Sequence, residues 1–176
     1  MSSVSGGHTG DPTAAPTTTA APALRCSLSL LHRSSRGLRL RYTIENPGAD
    51  TVHLLRTERM PYVIVSAPDR ILLAFSVQTP DPQADYVSFD IPTTIPLAPQ
   101  GRHEEEFTLH LPLQTQDHFS LPHPYPGPLA DPAQLLVEIG HIPWAIGKKD
   151  RPRQSYMAIV KAQQLCTSAP LQTSLR

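Results

Sequence analysis

Apolar and polar residues alternate in two segments near the start of the chain. The first segment has an apolar residue at every second position, namely Leu24, Cys26, Leu28 and Leu30. The second repeats the pattern with Leu38, Leu40, Tyr42 and Ile44. Because successive side chains of a strand point to opposite faces, each segment predicts a strand with one buried and one solvated face. The residues between them, Ser34-Ser35-Arg36-Gly37, predict a turn that joins the two strands into a hairpin.

A second turn is predicted after this hairpin, at Asn46-Pro47-Gly48-Ala49-Asp50. Proline presets the φ angle of the first central position, and glycine supplies a positive φ at the second. Seven further segments have strand character: residues 51–56, 62–66, 70–78, 86–90, 105–111, 135–140 and 156–165. The last segment also suits a short helix, but the β-branched Ile159 and Val160 favour a strand.

Proline is frequent along the whole chain, with 20 prolines among 176 residues. Proline has no backbone N–H and a fixed φ, so this spacing limits helix length and suits short strands joined by turns. Together with the alternating segments, it predicts an all-β fold. The expected architecture is an antiparallel β-sandwich of about seven to nine strands.

Three segments resemble bacterial immunoglobulin-like accessory domains. They are LRLRYTIENPGADTV at residues 38–52, IPLAPQG at 95–101 and FTL at 107–109. Domains of that kind carry an alternating strand, a turn of similar composition and a Leu-x-Pro-x-Gly approach to a later strand. The resemblance implies an immunoglobulin-like β-sandwich. For the intracellular proteinase-inhibitor type, it also implies a rigid loop that occupies a proteinase cleft.

The two ends of the chain differ in composition from its body. Residues 1–23 are rich in Ser, Thr, Ala and Pro, and they offer too little apolar surface to offset the entropy of ordering them. They are therefore predicted to be disordered. Residues 167–176 have the same character and predict a flexible tail. The β-sandwich domain is accordingly predicted to span residues 24–166.

The charge balance excludes several classes of partner. The chain has 15 Lys and Arg against 15 Asp and Glu, and its formal net charge is zero. It therefore lacks the general electrostatic attraction that nucleic acids and anionic membrane surfaces require. No apolar run is long enough to predict a membrane helix. Residues 1–23 also lack the features of an export signal, which predicts a cytoplasmic protein. The alternative is an exported protein whose signal has been removed.

No familiar catalytic motif is present in the sequence. Phosphate-binding, dinucleotide-binding and nucleophile-elbow patterns are absent. His103 and Glu104 begin like a zinc-protease motif, but Phe107 stands where the second histidine ligand belongs. Glu104, Glu105 and Glu106 are interpreted as a solvated strand edge. We expect a non-catalytic chain without a cofactor, with a Ser-His-Asp triad assembled by folding as the alternative.

The histidines and cysteines leave two alternatives open. His110, Asp117, His118 and His123 carry ligand types that zinc or copper(II) prefers, and they would define an exported metal-binding protein or metal-dependent enzyme. Exposed or hydrogen-bonded histidines are the favoured interpretation. Cys26 and Cys166 lie near the two ends of the predicted domain. Reduced thiols are favoured, whereas a disulfide would require an oxidising compartment.

The long connection at residues 112–132 is the predicted binding surface. Prolines 122, 124, 126 and 128 hold it extended, which lowers the entropy lost on binding. Its candidate contact residues are Phe119, Leu121, His123 and Tyr125, joined by Trp144 from a turn rich in basic residues. The predicted partner is another protein. In the alternative interpretation, the aromatic side chains pack back onto the sandwich as a lid, and Trp144 belongs to the core.

Overall fold

Strands dominate the computed structural model, which describes residues 23–83, 89–125 and 133–173. The strands in these ranges are β1 Arg25–Ser34, β2 Gly37–Glu45, β3 Val52–Arg56, β4 Tyr62–Ala67, β5 Arg70–Phe75, β6 Thr93–Leu97, β7 Arg102–His110, β8 Gln114–Thr115, β9 His123–Pro124, β10 Gln134–Ile142, β11 Gln164–Thr167 and β12 Leu171–Gln172. A 3₁₀ helix spans Arg151–Arg153, and α1 spans Tyr156–Ala162. The predicted all-β class is confirmed.

The predicted hairpin is confirmed and forms the centre of the first sheet. β1 pairs antiparallel with β2, and Leu28 lies opposite Tyr42. The other edge of β2 pairs antiparallel with β7, which gives the order β1-β2-β7. Apolar side chains of β2 therefore lie on the same face as Phe107 and Leu109 of β7.

The second sheet is mixed, which corrects the expectation of purely antiparallel pairing. Its order is β4-β5-β10-β3-β6, and β11 and β12 also pair with β10. β10 runs parallel to β5 and antiparallel to β3. The chain leaves β5, passes through β6 and β7 and then returns to β10, so it has the long connection that a parallel pair requires.

The main apolar core lies between the two sheets. Leu40 and Ile44 of the first sheet share one buried cluster with Leu73, Val137 and Ile139 of the second. A second buried cluster surrounds α1 and includes Leu55, Ile142, Ile146, Tyr156 and Ile159. Burying one such side chain stabilises the fold by about 1.5–3 kcal/mol, so these two clusters hold the sheets and α1 together.

Helix α1 corrects the strand predicted at residues 156–165. Ser155 caps its N-terminus, because the Ser155 side chain accepts a hydrogen bond from the Ala158 N–H. Tyr156 and Ile159, three positions apart, are its buried residues. The helix gives way to β11 after Gln163, whose side-chain amide donates to the Val77 carbonyl at 2.6 Å. Burial of one helical face thus outweighs the strand preference of Ile159 and Val160.

The turn at residues 46–50 does not use the predicted positive φ of Gly48, because no glycine in the described residues has a positive φ. Asn46 shapes this connection instead. Its side-chain amide donates to the carbonyls of Asp50 and Leu97 at 2.8 and 3.2 Å, while its Oδ1 accepts from the Gly48 N–H at 3.0 Å. The buried amide thereby fixes the passage of the chain from the first sheet to the second.

The remaining predictions concern individual strands and the chain ends. The pattern missed β6, β8, β9 and β12. The strand predicted at 86–90 lies partly outside the described residues, and Phe89 and Asp90 are not in a strand. The flexible tail predicted from residue 167 stays a prediction, although β12 pairs with β10 and Thr173 is buried. The disorder predicted for residues 1–22 falls outside the described residues.

Candidate binding loop

The candidate binding loop, residues 111–125, contains the described part of the predicted surface, whose residues 126–132 lie outside the described residues. Backbone hydrogen bonds hold this loop against the second sheet. Val63 of β4 and Gln116 exchange N–H to carbonyl bonds of 2.8 and 2.9 Å. Within the loop, β8 and β9 pair antiparallel, and the Tyr125 N–H donates to the Leu113 carbonyl at 3.0 Å. Leu113 and Thr115 are buried beneath it. The sequence of this segment shows no strand pattern, yet the segment is ordered and extends the second sheet.

The tip of the loop is folded by Asp117. Its Oδ1 accepts hydrogen bonds from the Phe119 and Ser120 N–H groups at 2.8 and 2.6 Å. The Ser120 hydroxyl in turn accepts a bond from the Asp117 N–H at 3.0 Å. Aspartate and serine side chains commonly satisfy nearby backbone groups in this way. The Asp-x-x-Ser spacing was therefore a local signal for this turn, and sequence reasoning missed it.

Arg59 holds the same tip from outside the loop. Its guanidinium donates to the carbonyls of His118 and Ser120 at 3.0 and 2.6 Å. The planar guanidinium carries several donors in fixed directions and can bind several carbonyls at once. Arg59 lies 61 positions before Ser120 in the sequence, so no local pattern predicts this contact.

His118 anchors the tip from within as an aromatic side chain. Its ring lies 5.1 Å from Tyr62, 4.9 Å from Phe119 and 5.0 Å from Tyr156, measured between ring centroids. Only 3% of its surface is exposed, and neither ring nitrogen has a hydrogen-bond partner among the described residues. Burial lowers the pKa of His118, because the charged ring would lose its hydration.

Three of the five predicted contact residues are half-buried. Phe119 packs against the cluster around α1, edge-on to Tyr156 at 6.3 Å. Tyr125 packs against the main core and donates its hydroxyl to the Pro68 carbonyl at 2.8 Å. Trp144 also packs against the α1 cluster. These packed positions match the lid interpretation of the aromatic residues, and each side chain still keeps part of its surface in solvent.

The other two predicted contact residues, Leu121 and His123, are exposed. Leu121 is 82% exposed, the largest value among the exposed large hydrophobic side chains in the described ranges. The His123 ring nitrogen Nδ1 lies 3.2 Å from the Leu121 carbonyl. Asp117 and Arg59 fix the residues that directly precede Leu121. Leu121 is therefore an apolar side chain exposed to water at the end of an ordered turn.

An open groove of about 460 Å³ lies along one side of the candidate binding loop. Its wall is of mixed polarity, and its apolar residues include Met60, Pro61, Leu111, Pro112 and Pro122. Arg59 and His110 line the same groove. A concave surface that combines apolar and polar groups can accept another molecule. The lining includes Pro122, the residue that follows the exposed Leu121 in the chain.

The structure does not bring the four metal-ligand candidates together. His110 lies on the exposed face of β7, His118 is buried among aromatic rings, and His123 is exposed on β9. Asp117 Oδ1 is used by two backbone N–H groups. No group of three or more His, Cys, Asp or Glu side chains suited to a metal ion occurs in the described parts of the chain.

Glu105 departs from the predicted solvated edge, whereas its neighbours Glu104 and Glu106 conform to it. Glu105 faces the other sheet, since period two places it on the same face as Phe107. It forms an ion pair with Arg56 of β3 and accepts a 3.0 Å hydrogen bond from the Tyr42 hydroxyl. The Arg56 guanidinium lies over the Phe75 ring at 5.1 Å. Burial raises the pKa of Tyr42, so its hydroxyl stays a donor.

Comparison with known proteins gives no match: no family model, no curated protein and no solved structure resembles the chain significantly. Within the described ranges, every helix is too short or too polar to cross a lipid bilayer. The immunoglobulin-like resemblance therefore stays a prediction.

Proposed function

We propose that this chain is a non-catalytic binding module, built as an immunoglobulin-like β-sandwich, that engages another protein through the candidate binding loop. The observation that carries the proposal is Leu121, an apolar side chain held 82% exposed on a loop fixed by long-range hydrogen bonds. Water contact at such a residue is unfavourable and is relieved when a partner covers it. The partner is therefore a folded protein with an apolar pocket that receives Leu121.

Pre-organisation supports the same proposal. A loop that is already ordered loses little entropy on binding, so more of the contact energy appears as affinity. The half-buried Phe119 and Tyr125 contribute by fixing the loop, and their remaining exposed surface adjoins the contact. Among the candidate contact residues predicted from the sequence, Leu121 acts as the anchor in place of the aromatic Phe119 and Tyr125.

The proposal is tested by capture from a lysate of the source organism with immobilised chain. The substitution Leu121→Asp should abolish retention of the partner without lowering the unfolding midpoint. Leu165→Asp is the matched control, because Leu165 is also an exposed leucine, 52% exposed, and lies on β11 outside the loop. Equal retention of the partner by the wild type and Leu121→Asp would discard the proposed surface.

A proteinase is the partner class that the family resemblance implies. In that version, Leu121 would enter the specificity pocket of the enzyme, and Pro122 would follow it. A direct test measures the activity of a leucine-accepting serine proteinase while the chain is titrated in. Inhibition by the wild type and its loss in Leu121→Asp are expected, and rapid cleavage within the loop would contradict this version of the proposal.

A further inference from the structure

The two cysteines lie together at the end of the domain opposite the candidate binding loop. Cys26 of β1 pairs in register with Ile44, near the end of β2, whereas the loop begins beside Gly37 at the start of β2. Cys166 of β11 belongs to the second sheet. One edge strand of the first sheet, β1, thus meets β11 of the second sheet near these residues.

The two thiols are neighbours, and both are free. The Cys166 thiol donates to the carbonyl of Leu24, two residues before Cys26, at 3.3 Å. Both residues pack in the main apolar cluster. Since Cys166 contacts the residue two positions before Cys26 and both cysteines pack in one cluster, a bond between the sulfur atoms joins strands that already adjoin.

A cleft gives small molecules access to this thiol pair. It has a volume of about 270 Å³, and its lining includes Leu24, His141, Gln164 and Cys166. Cys166 lines this cleft and Cys26 does not, so a reagent in the cleft meets the Cys166 sulfur first. The neighbouring Cys166 thiol and burial raise the pKa of Cys26.

We propose that Cys26 and Cys166 form an oxidative modification site, at which a low-molecular-weight disulfide such as oxidised glutathione closes a reversible cross-link between β1 and β11. The Cys166 thiolate attacks one sulfur of the reagent, which forms a mixed disulfide and releases one thiol. Cys26 then attacks the Cys166 sulfur and releases the second thiol. The two protein thiols are oxidised, the reagent is reduced, and both protons leave with the two released thiols.

The cross-link would close nearly the whole described chain into one loop, which should stabilise the fold chiefly by restricting the unfolded chain. Because the site lies at the opposite end of β2 from residues 111–125, it should leave the candidate binding loop unchanged. The inference does not rest on the proposed function, and its test needs no binding partner.

The experiment incubates the purified full chain with oxidised glutathione under native conditions and follows thiols, mass and unfolding. Both thiols should disappear, and the intact mass should fall by about 2 Da, the mass of two hydrogens. The thermal midpoint should rise by roughly 5–10 °C and return to its starting value after reduction. The single variants Cys26→Ser and Cys166→Ser are the controls, and neither should show the rise.

Three results would overturn the inference. Both thiols could persist in the wild type, each could carry its own glutathione, or the cross-link could join two copies of the chain. Mass spectrometry of the native reaction distinguishes all three from the expected product. The result for the wild type does not depend on whether the serine variants fold.

Discussion

The inter-sheet core and the candidate binding loop are stabilised in different ways. In the core, Leu73 is fully buried, and the burial of apolar surface holds the two sheets together. In the loop, Asp117 and Arg59 bind backbone groups, and Leu121 remains in solvent. The difference shows that the fold depends on apolar burial, while the shape of the loop depends on a few directed polar contacts. Stability and binding should therefore respond to different substitutions.

The largest effect is expected in the core. Leu73→Ala removes a fully buried side chain and leaves a cavity, so the free energy of unfolding should fall by about 2–5 kcal/mol. Leu121→Ala is the control within the loop, since it removes the same atoms from a side chain that is 82% exposed. Urea titration of both variants makes the comparison. Similar losses of unfolding free energy in the two variants would show that apolar burial does not distinguish the core from the loop.

The next effect concerns two adjacent glutamates. Glu105→Ala leaves Arg56 half-buried without its ion partner and should cost about 2–3 kcal/mol, less than for a fully buried pair, because both side chains are about one quarter exposed. Glu106→Ala breaks only the outer contacts with Arg39 and Arg41, and its unfolding midpoint should stay close to that of the wild type. Denaturant unfolding of both variants decides the matter, and equal midpoints would show that Glu105 is not a structural residue.

A smaller loss of stability is expected at Arg59. Arg59→Ala removes the guanidinium bonds to the loop carbonyls and should cost about 1 kcal/mol, because these bonds lie near the surface. Its effect on partner binding should be larger, since the tip that carries Leu121 loses its support. Arg153→Ala, at an exposed arginine of the 3₁₀ helix, is the control. If Arg59→Ala captured the partner as well as the wild type, the order of the loop tip would not be required for binding.

The smallest predicted effect is a dependence of stability on pH. Burial lowers the pKa of His118 below its model-peptide value of 6.5, so the unfolded chain binds a proton more readily than the folded chain. Stability should therefore be complete above pH 6.5 and fall as the pH drops toward the lowered pKa. The groups around His118 include Arg59, Asp90 and Asp117.

The substitution His118→Phe tests this dependence. Phenylalanine keeps a ring among the surrounding aromatic side chains and cannot take up a proton. Unfolding measured between pH 7.5 and 5.5 should then lose less stability in the variant than in the wild type. Part of the dependence should remain, because burial also lowers the pKa of His141. Identical profiles would show that His118 does not contribute.

The main features of the core could be predicted from the sequence, because its signal is local. Period-two alternation marks the inward face of β2 and the hairpin with β1. The same period places Glu105 inward beside Phe107, yet its glutamate neighbours favoured a solvated interpretation. Helix α1 also had local signals, namely the Ser155 cap and the pair Tyr156 and Ile159. The β-branched Ile159 and Val160 nevertheless led to the prediction of a strand.

Much less of the candidate loop could be predicted, because its order comes from distant residues. The sequence singled out Phe119 and Tyr125 as aromatic residues in a proline-rich connection. It did not predict that Arg59 binds the loop's carbonyls or that Val63 pairs with Gln116, since such contacts depend on the sheet that brings them together. The exposure of Leu121 follows from these contacts.

Amide hydrogen exchange in the free chain tests most directly whether the loop is ordered before any partner binds. The Gln116, Phe119 and Ser120 amides donate to Val63 and Asp117, so they should exchange at least roughly a hundredfold more slowly than in an unstructured peptide. In Arg59→Ala, the protection of Phe119 and Ser120 should fall, while core amides such as Leu73 keep theirs. Exchange of these loop amides at the unstructured rate in the wild type would contradict the account.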